Sequence, residues 1–229
     1  MTEWLQTYYE SIIETGYYKL LIEGLQNTFI ITLGALAIGV VIGTLISVAK
    51  YFAEDVPALK PISVLCDLYT TVIRGVPVVV LLIIFFFVVF ASSDNGVMVA
   101  VITFGINSGA YMAELIRGGI QSVDKGQMEA GRSLGLSKVQ TMRKIIFPQA
   151  IRYVLPAIGN EMIALLKETS VAGYVAVRDI TKAGDQIRYN TFDAVNPLLT
   201  VALTYLLMVV GLTALLGKVE RRLAKSDKG

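Results

Sequence analysis

Stretches of about twenty residues in this chain carry almost no charge, and that gap pattern restricts its fold more than any other feature. A helix rises about 1.5 Å per residue, so about twenty apolar residues cross the roughly 30 Å of bilayer hydrocarbon. Five segments are long enough: 27–49, 63–90, 97–116, 149–174 and 194–217. Residues 78–90 contain no polar side chain, while Asp67 and Arg74 lie near the start of the second segment. The expectation is an all-α integral membrane protein with five transmembrane helices.

The loops predict its orientation. Arg117, Lys125, Arg132, Lys138, Arg143 and Lys144 fall between the third and fourth segments, and Arg152 lies just inside the start of the fourth. Lys218, Arg221, Arg222, Lys225 and Lys228 follow the fifth, whereas the turn at 91–96 has only Asp94. By the positive-inside rule the N-terminus is outside and the C-terminus inside, a parity that five spans satisfy. Five spans in one copy leave no room for the paired inverted repeats of many secondary carriers. One chain therefore reads as half of a dimeric pathway.

Composition excludes several chemistries. The chain is 55% hydrophobic and 17% charged, with a mean hydropathy of +0.64. A net charge of +2 gives no reason to expect a nucleic-acid partner. The absence of histidine removes imidazole catalysis and most transition-metal sites. Cys66 is the single cysteine and reads as a small packed apolar residue. Residues 1–24 carry Glu3, Glu10, Glu14 and Glu23 against Lys19, which is unlike a cleavable leader. There Trp4, Tyr8, Tyr9, Tyr17 and Tyr18 alternate with Ile12 and Ile13 in the manner of an amphipathic interfacial helix.

The basic loop has its own local grammar. A helix beginning near Lys125 carries Glu129 in an early turn, where a carboxylate suits the positive dipole end. Gly135 supplies a left-handed stop. Ser137 and Gln140, three apart, form a capping box that starts a second helix, which Pro148 ends or redirects. On these grounds alone the loop could be an ordinary basic hairpin stabilising the membrane face.

Glu129, Ala130 and Gly131, then Gly135, then Ile145, Phe147 and Pro148 closely resemble the EAA loop of ABC importer permeases. The spacing matches throughout, with Gly131 where that pattern has Ala and Phe147 where it has Leu. Arg74-Gly75-Val76-Pro77 resembles the Arg-Gly-Thr-Pro element of the polar amino acid branch, with Val76 in place of Thr. Phe104-Gly105, the run Ala110 to Glu114 and Arg117-Gly118-Gly119 resemble that branch's third span. The runs Pro156 to Glu161 and Leu166 to Ser170 resemble its fourth. The likeness covers about residues 24–223.

It implies a type I ABC importer-like permease in a prokaryotic cytoplasmic membrane, moving a polar amino acid inward. It further implies that Glu129, Ala130, Gly131 and Gly135 belong to a coupling loop, about 117–148, that seats on a cytoplasmic ATPase dimer. An external substrate-binding protein and a second permease, identical or sibling, complete the assembly within membrane lipid. The chain then divides into an interfacial segment 1–24, a permease domain 25–223 and a basic tail 224–229.

No GxxxxGK(S/T) phosphate loop is present; residues 211–218 have one residue too many and end before Val219 rather than Ser or Thr. ATP and magnesium therefore belong to a partner, and this chain needs no cofactor or metal of its own. Permeation of another small solute, or an ATPase-independent carrier or channel, are the rival readings. The second would leave the 129–148 pattern unexplained.

Polar residues at membrane depth mark the candidate pathway. Asn107 and Ser108 lie midway through the third segment, and Asn107, Tyr111 and Glu114 share one helical face. Asn160 and Glu161 lie midway through the fourth, where Pro156 can interrupt the backbone ladder. A zwitterion needs an anion for its ammonium and donors for its carboxylate. Glu161 suits the first role and Asn107, Tyr111 and Asn160 the second, although Glu161 equally suits a lasting interhelical hydrogen bond. Glu114 is expected to pair with Arg117, and Arg74 to lie at the interface.

Overall fold

A computed structural model describes residues 8–53 and 56–225, which form helices and no strands. A π-helical turn, Tyr9–Glu14, stops at Gly16, whose φ of +74° a side chain would resist. Helix α1 is Tyr18–Ala53, and α2, Lys60–Gly75, follows a 3₁₀ turn at Pro57–Leu59. Helix α3 is Val78–Ile84, continued by a π-helical stretch, Phe85–Val89. Helix α4 is Gly96–Gln121, α5 Lys125–Ser133 and α6 Lys138–Thr141. A π-helical stretch, Met142–Ile146, runs into α7, Phe147–Glu168. A 3₁₀ segment, Thr169–Val175, precedes α8, Ile180–Thr191, and α9, Val195–Lys225.

Three of these, α1, α4 and α9, are long and apolar enough to cross a membrane, and a fourth crossing is available if α2 and α3 count as one broken span. Two expectations therefore change. The segment 63–90 is not one helix, because Pro77 has no amide to continue the ladder and disfavours helical geometry at Val76. The segment 149–174 is α-helical only to Glu168 and 3₁₀ beyond it, and Gln149, Arg152, Asn160 and Glu161 make α7 too polar to qualify by itself. Pro148 does not end a helix either. It occupies the second position of α7, directly after the π-helical stretch, so the helix runs on through it and the locally altered ladder accommodates the missing amide. The interfacial reading of 1–24 lies partly outside the described residues, and α1 already begins within it, at Tyr18. The tail 224–229 overlaps the end of α9, and 226–229 lie outside the described residues.

The chain forms two compact units. One comprises the chain up to Leu36, Val76–Gly105 and Ile163–Ala214. Its core joins Ile31 and Ala35 of α1, Leu82 of α3, Ala100 and Phe104 of α4, Leu165 of α7 and Val175. The segment before α8 is fastened to α1 in this unit. Gly24 lets α1 lie against the Asp179 carbonyl, where an added Cβ would approach to 2.7 Å. The Ile180 amide donates to Thr28 Oγ1 at 3.3 Å, and Asn27 Nδ2 donates to the Arg178 carbonyl at 2.9 Å. Arg178 pairs with Glu23 at 2.6 Å.

The other unit comprises Ala37–Gly75, Ile106–Met162 and Leu215 onward. Lipid tails are as apolar as leucine, so helices in a bilayer gain little from hiding hydrocarbon and associate through close packing. Gly39 and Gly43, four apart on α1, provide it here: a Cβ on either would strike Ser108 or Met112 of α4. Gly109 of α4 reciprocates against Ile42, and Ser47 Oγ donates to the Ala113 carbonyl at 2.9 Å.

Candidate functional site

The candidate pathway residues Asn107, Tyr111, Asn160 and Glu161 all fall in the second unit. Asn107 and Ser108 are buried on α4 at 3% and 0% exposure, Tyr111 is half-buried one turn on, and Glu161 is half-buried on α7. Ser108 Oγ donates to Glu161 Oε1 at 3.1 Å, so one hydrogen bond ties α4 to α7. Asn160 is exposed, turned away from that bond by its position on the helix. The geometry thus joins Glu161 to Ser108 and separates Asn160 from it.

Around this pair, α2 braces α4. The Tyr69 hydroxyl donates to the Ile106 carbonyl at 2.5 Å. The Arg74 guanidinium carbon lies 5.2 Å from the centroid of the Tyr111 ring, within cation–π range. Glu114 bonds Arg117 one turn away at 2.5 Å, as its spacing predicts, and Arg117 also donates to Gln121. The glycine pair Gly39/Gly43 positions α1 against Ser108, and its four-residue spacing is a sequence signal for this close approach. No spacing in the sequence points to Tyr69 or to the Arg74–Tyr111 stack.

The basic loop is a helical hairpin. Asp124 caps α5 by accepting the Gly126 amide at 2.7 Å, so it supplies the negative charge at the N-terminus. Glu129 lies a full turn in and is exposed. The α5 helix ends in a Schellman motif: Leu136 N–H bonds Gly131 O at 3.2 Å and Gly135 N–H bonds Arg132 O at 3.0 Å. Gly135 has φ +86°, the left-handed geometry that its position demands. Ser137 then accepts the Gln140 amide while the Gln140 side chain accepts the Ser137 amide, a complete capping box. Gly131 is buried against Thr141 and Ile145, whereas Ala130 is exposed and Leu134, at the tip, is 81% exposed.

Among the described residues, no cluster of His, Cys, Asp and Glu could hold a metal ion.

A family model described as "binding-protein-dependent transport system inner membrane component" matches residues 39–225. The chain belongs to that family. It is a multi-pass inner-membrane permease. It is 38% identical over 208 residues to the Escherichia coli (strain K12) glutamine transport system permease protein GlnP, covering 89% of this chain and 93% of that one. It is 33% identical over 210 residues to the Bacillus subtilis (strain 168) arginine transport system permease protein ArtQ, covering 90% and 94%. Among solved structures, "an amino acid ABC transporter with histidines" superposes with a TM-score of 0.84 at 38% identity, covering 91% of this chain and 96% of that chain. The inward-facing MetNI methionine ABC transporter superposes at 0.79 with 21% identity, covering 90% and 97%, which shows the shared fold. The permease therefore has the all-helical fold of type I ABC importers.

Proposed function

We propose that this permease carries a polar amino acid, of the glutamine or arginine kind, into the cytoplasm as the membrane half of an ATP-driven importer. The observation that carries this is the 38% identity to a glutamine permease over 93% of that protein's length. An extracytoplasmic binding protein delivers the amino acid, in keeping with the family's description. ATP and magnesium are bound by a cytoplasmic ATPase dimer, on which the hairpin containing Glu129, Ala130, Gly131 and Gly135 seats. The exposed apolar tip at Leu134 and the doubly capped turn support that role: a rigid knob transmits motion better than a loose loop.

In this reading the chain crosses the membrane five times, N-terminus outside and C-terminus inside. The α2–α3 pair counts as one broken crossing, and α7 crosses in the shelter of its neighbours. A second permease, identical or sibling, completes the pathway. The apolar exposure of α9 at Leu203, Leu206, Leu207 and Val210 supports contact with lipid or with that second copy. Asn107, Tyr111, Asn160 and Glu161 line the passage, with Glu161 facing the cargo ammonium at one stage of the cycle.

The test is ATP hydrolysis by the reconstituted complex, stimulated by binding protein loaded in turn with each member of an amino-acid panel. Stimulation by polar amino acids is expected. Stimulation only by a solute of another class would overturn the cargo assignment, and transport without the ATPase would overturn the importer reading.

A further inference from the structure

Two apolar cavities lie side by side in the second unit. The first, about 200 Å³, is walled by residues that include Ser47, Val48 and Phe52 of α1 and Met142. The second, also about 200 Å³, continues along Val40, Ile151, Val154 and Ile158. They share Thr44, Ile116, Ile120 and Phe147, so they form one furrow. Its walls are almost wholly hydrocarbon, which leaves water without hydrogen-bond partners.

The furrow is charged at one end only. Arg143 lines the first cavity, and no charged residue lines the second. Tyr51 also lines the first cavity, and Lys138 Nζ lies 4.5 Å from the centroid of its ring. Two cations at one end of a long apolar slot complement an amphiphile with an anionic head and a hydrocarbon tail. An α-helix, about 10–12 Å across with its side chains, is too broad for such cavities. An acyl chain is not.

We propose that the furrow binds an anionic phospholipid, with its phosphate against Arg143 and Lys138 and an acyl chain laid along Thr44, Ile116, Ile120 and Phe147. Both cations belong to the basic loop, so under the topology given above the lipid comes from the cytoplasmic leaflet, whose surface is negative. The lipid then bridges α1 to the segment between α6 and α7. In this way the composition of the bilayer bears on the hairpin proposed to meet the ATPase.

The test uses the whole transporter, purified in detergent, stripped of lipid and titrated with dioleoylphosphatidylglycerol, dioleoylphosphatidylcholine or inorganic phosphate, with bound lipid counted by native mass spectrometry. Saturable binding of phosphatidylglycerol in preference to phosphatidylcholine is expected. Arg143→Gln and Lys138→Gln should each weaken the phosphatidylglycerol by about fivefold. Val48→Trp, which fills the slot and leaves both cations, should weaken both lipids. Equal affinity for the two lipids, unchanged binding in the Gln variants or in Val48→Trp, or full displacement by inorganic phosphate would overturn the proposal. So would an assembled complex that binds no lipid because a protein partner covers the furrow. The titration reads no transport, so it stands or falls separately from the amino-acid panel.

Discussion

Ser108 of α4 donates to Glu161 of α7 across 3.1 Å, a side-chain hydrogen bond between the two helices that carry the pathway candidates. Ser108 is fully buried and cannot turn to solvent, so the partner of its hydroxyl matters. Glu161→Gln keeps an acceptor for Ser108 and removes the charge. If Glu161 meets the cargo ammonium, uptake into reconstituted vesicles should fall about tenfold or more, with expression and basal ATP hydrolysis preserved. Glu161→Leu should in addition cost about 1–3 kcal/mol of stability, because it leaves Ser108 without its acceptor. Near-normal uptake by the Gln variant would remove Glu161 from the cargo site and leave it as an interhelical tie.

The topology rests on charge asymmetry and has a direct test. In a Cys66→Ala background, Ser92→Cys, in the exposed turn before α4, and Leu134→Cys, at the hairpin tip, should lie on opposite sides of the membrane. An impermeant maleimide applied to intact cells should label the first and spare the second until the cells are opened. Labelling of both from outside would defeat the orientation with N-terminus out and C-terminus in.

What could be read from the sequence follows the range of each interaction. The hairpin was legible because its signals are local: Ser137 and Gln140 cap each other over three residues, and Gly135 meets its left-handed turn alone. The Glu114–Arg117 pair is likewise one turn of helix. The break at Val76–Pro77 was hidden because hydropathy runs unbroken on its C-terminal side and a window averages across a single missing amide. The polarity of α7 was visible in Arg152, Asn160 and Glu161, yet a membrane crossing by such a helix depends on neighbours that no window sees. Ser108 and Asn107 were equally polar on paper. Only the close approach of α1 at Gly39, and the facing of α7, decide which of them bonds Glu161.

A pH effect is expected from Asp179, which caps α8 by accepting the Thr181 and Lys182 amides at 2.9 and 3.1 Å. Its residue is fully buried. Burial lifts its carboxyl above the ordinary range, and the capping amides pull the other way without cancelling the lift. A raised folded value means that the folded protein holds the proton more tightly than the unfolded chain does. The contribution to stability is therefore full below the unfolded value of about 3.9 and is lost as pH rises through the folded value. Asp179→Asn keeps a capping oxygen and cannot titrate. The difference in thermal midpoint between wild type and variant should thus shift against the wild type as pH rises from about 4. A difference constant with pH would show that Asp179 does not titrate in this way.

Gly131 gives the sharpest test of the hairpin, because the structure reverses what bulk alone suggests. The family pattern has Ala at this position, and a single methyl looks harmless. Here, however, an added Cβ would lie 2.5 Å from Thr141 Cγ2, 2.9 Å from its Oγ1 and 3.1 Å from Ile145 Cδ1. Thr141 has little freedom to yield, since it is fully buried and its hydroxyl donates to the Ser137 carbonyl at 3.0 Å. Gly131→Ala should push α5 off α6 at an overpacking cost of about 1–3 kcal/mol. The better helix propensity of Ala returns up to about 1 kcal/mol of that. Thr141→Ser deletes the offending methyl and keeps the hydroxyl. The double variant should therefore recover most of what Gly131→Ala loses, a coupling that two independent surface changes would not show. The measurement is retention of the ATPase on the purified permease, together with hydrolysis stimulated by the binding protein. The single variant is expected to lose stimulation severalfold and the double to regain it. Wild-type stimulation in Gly131→Ala alone would mean that the packing of α5 on α6 is not what holds the proposed coupling hairpin in shape.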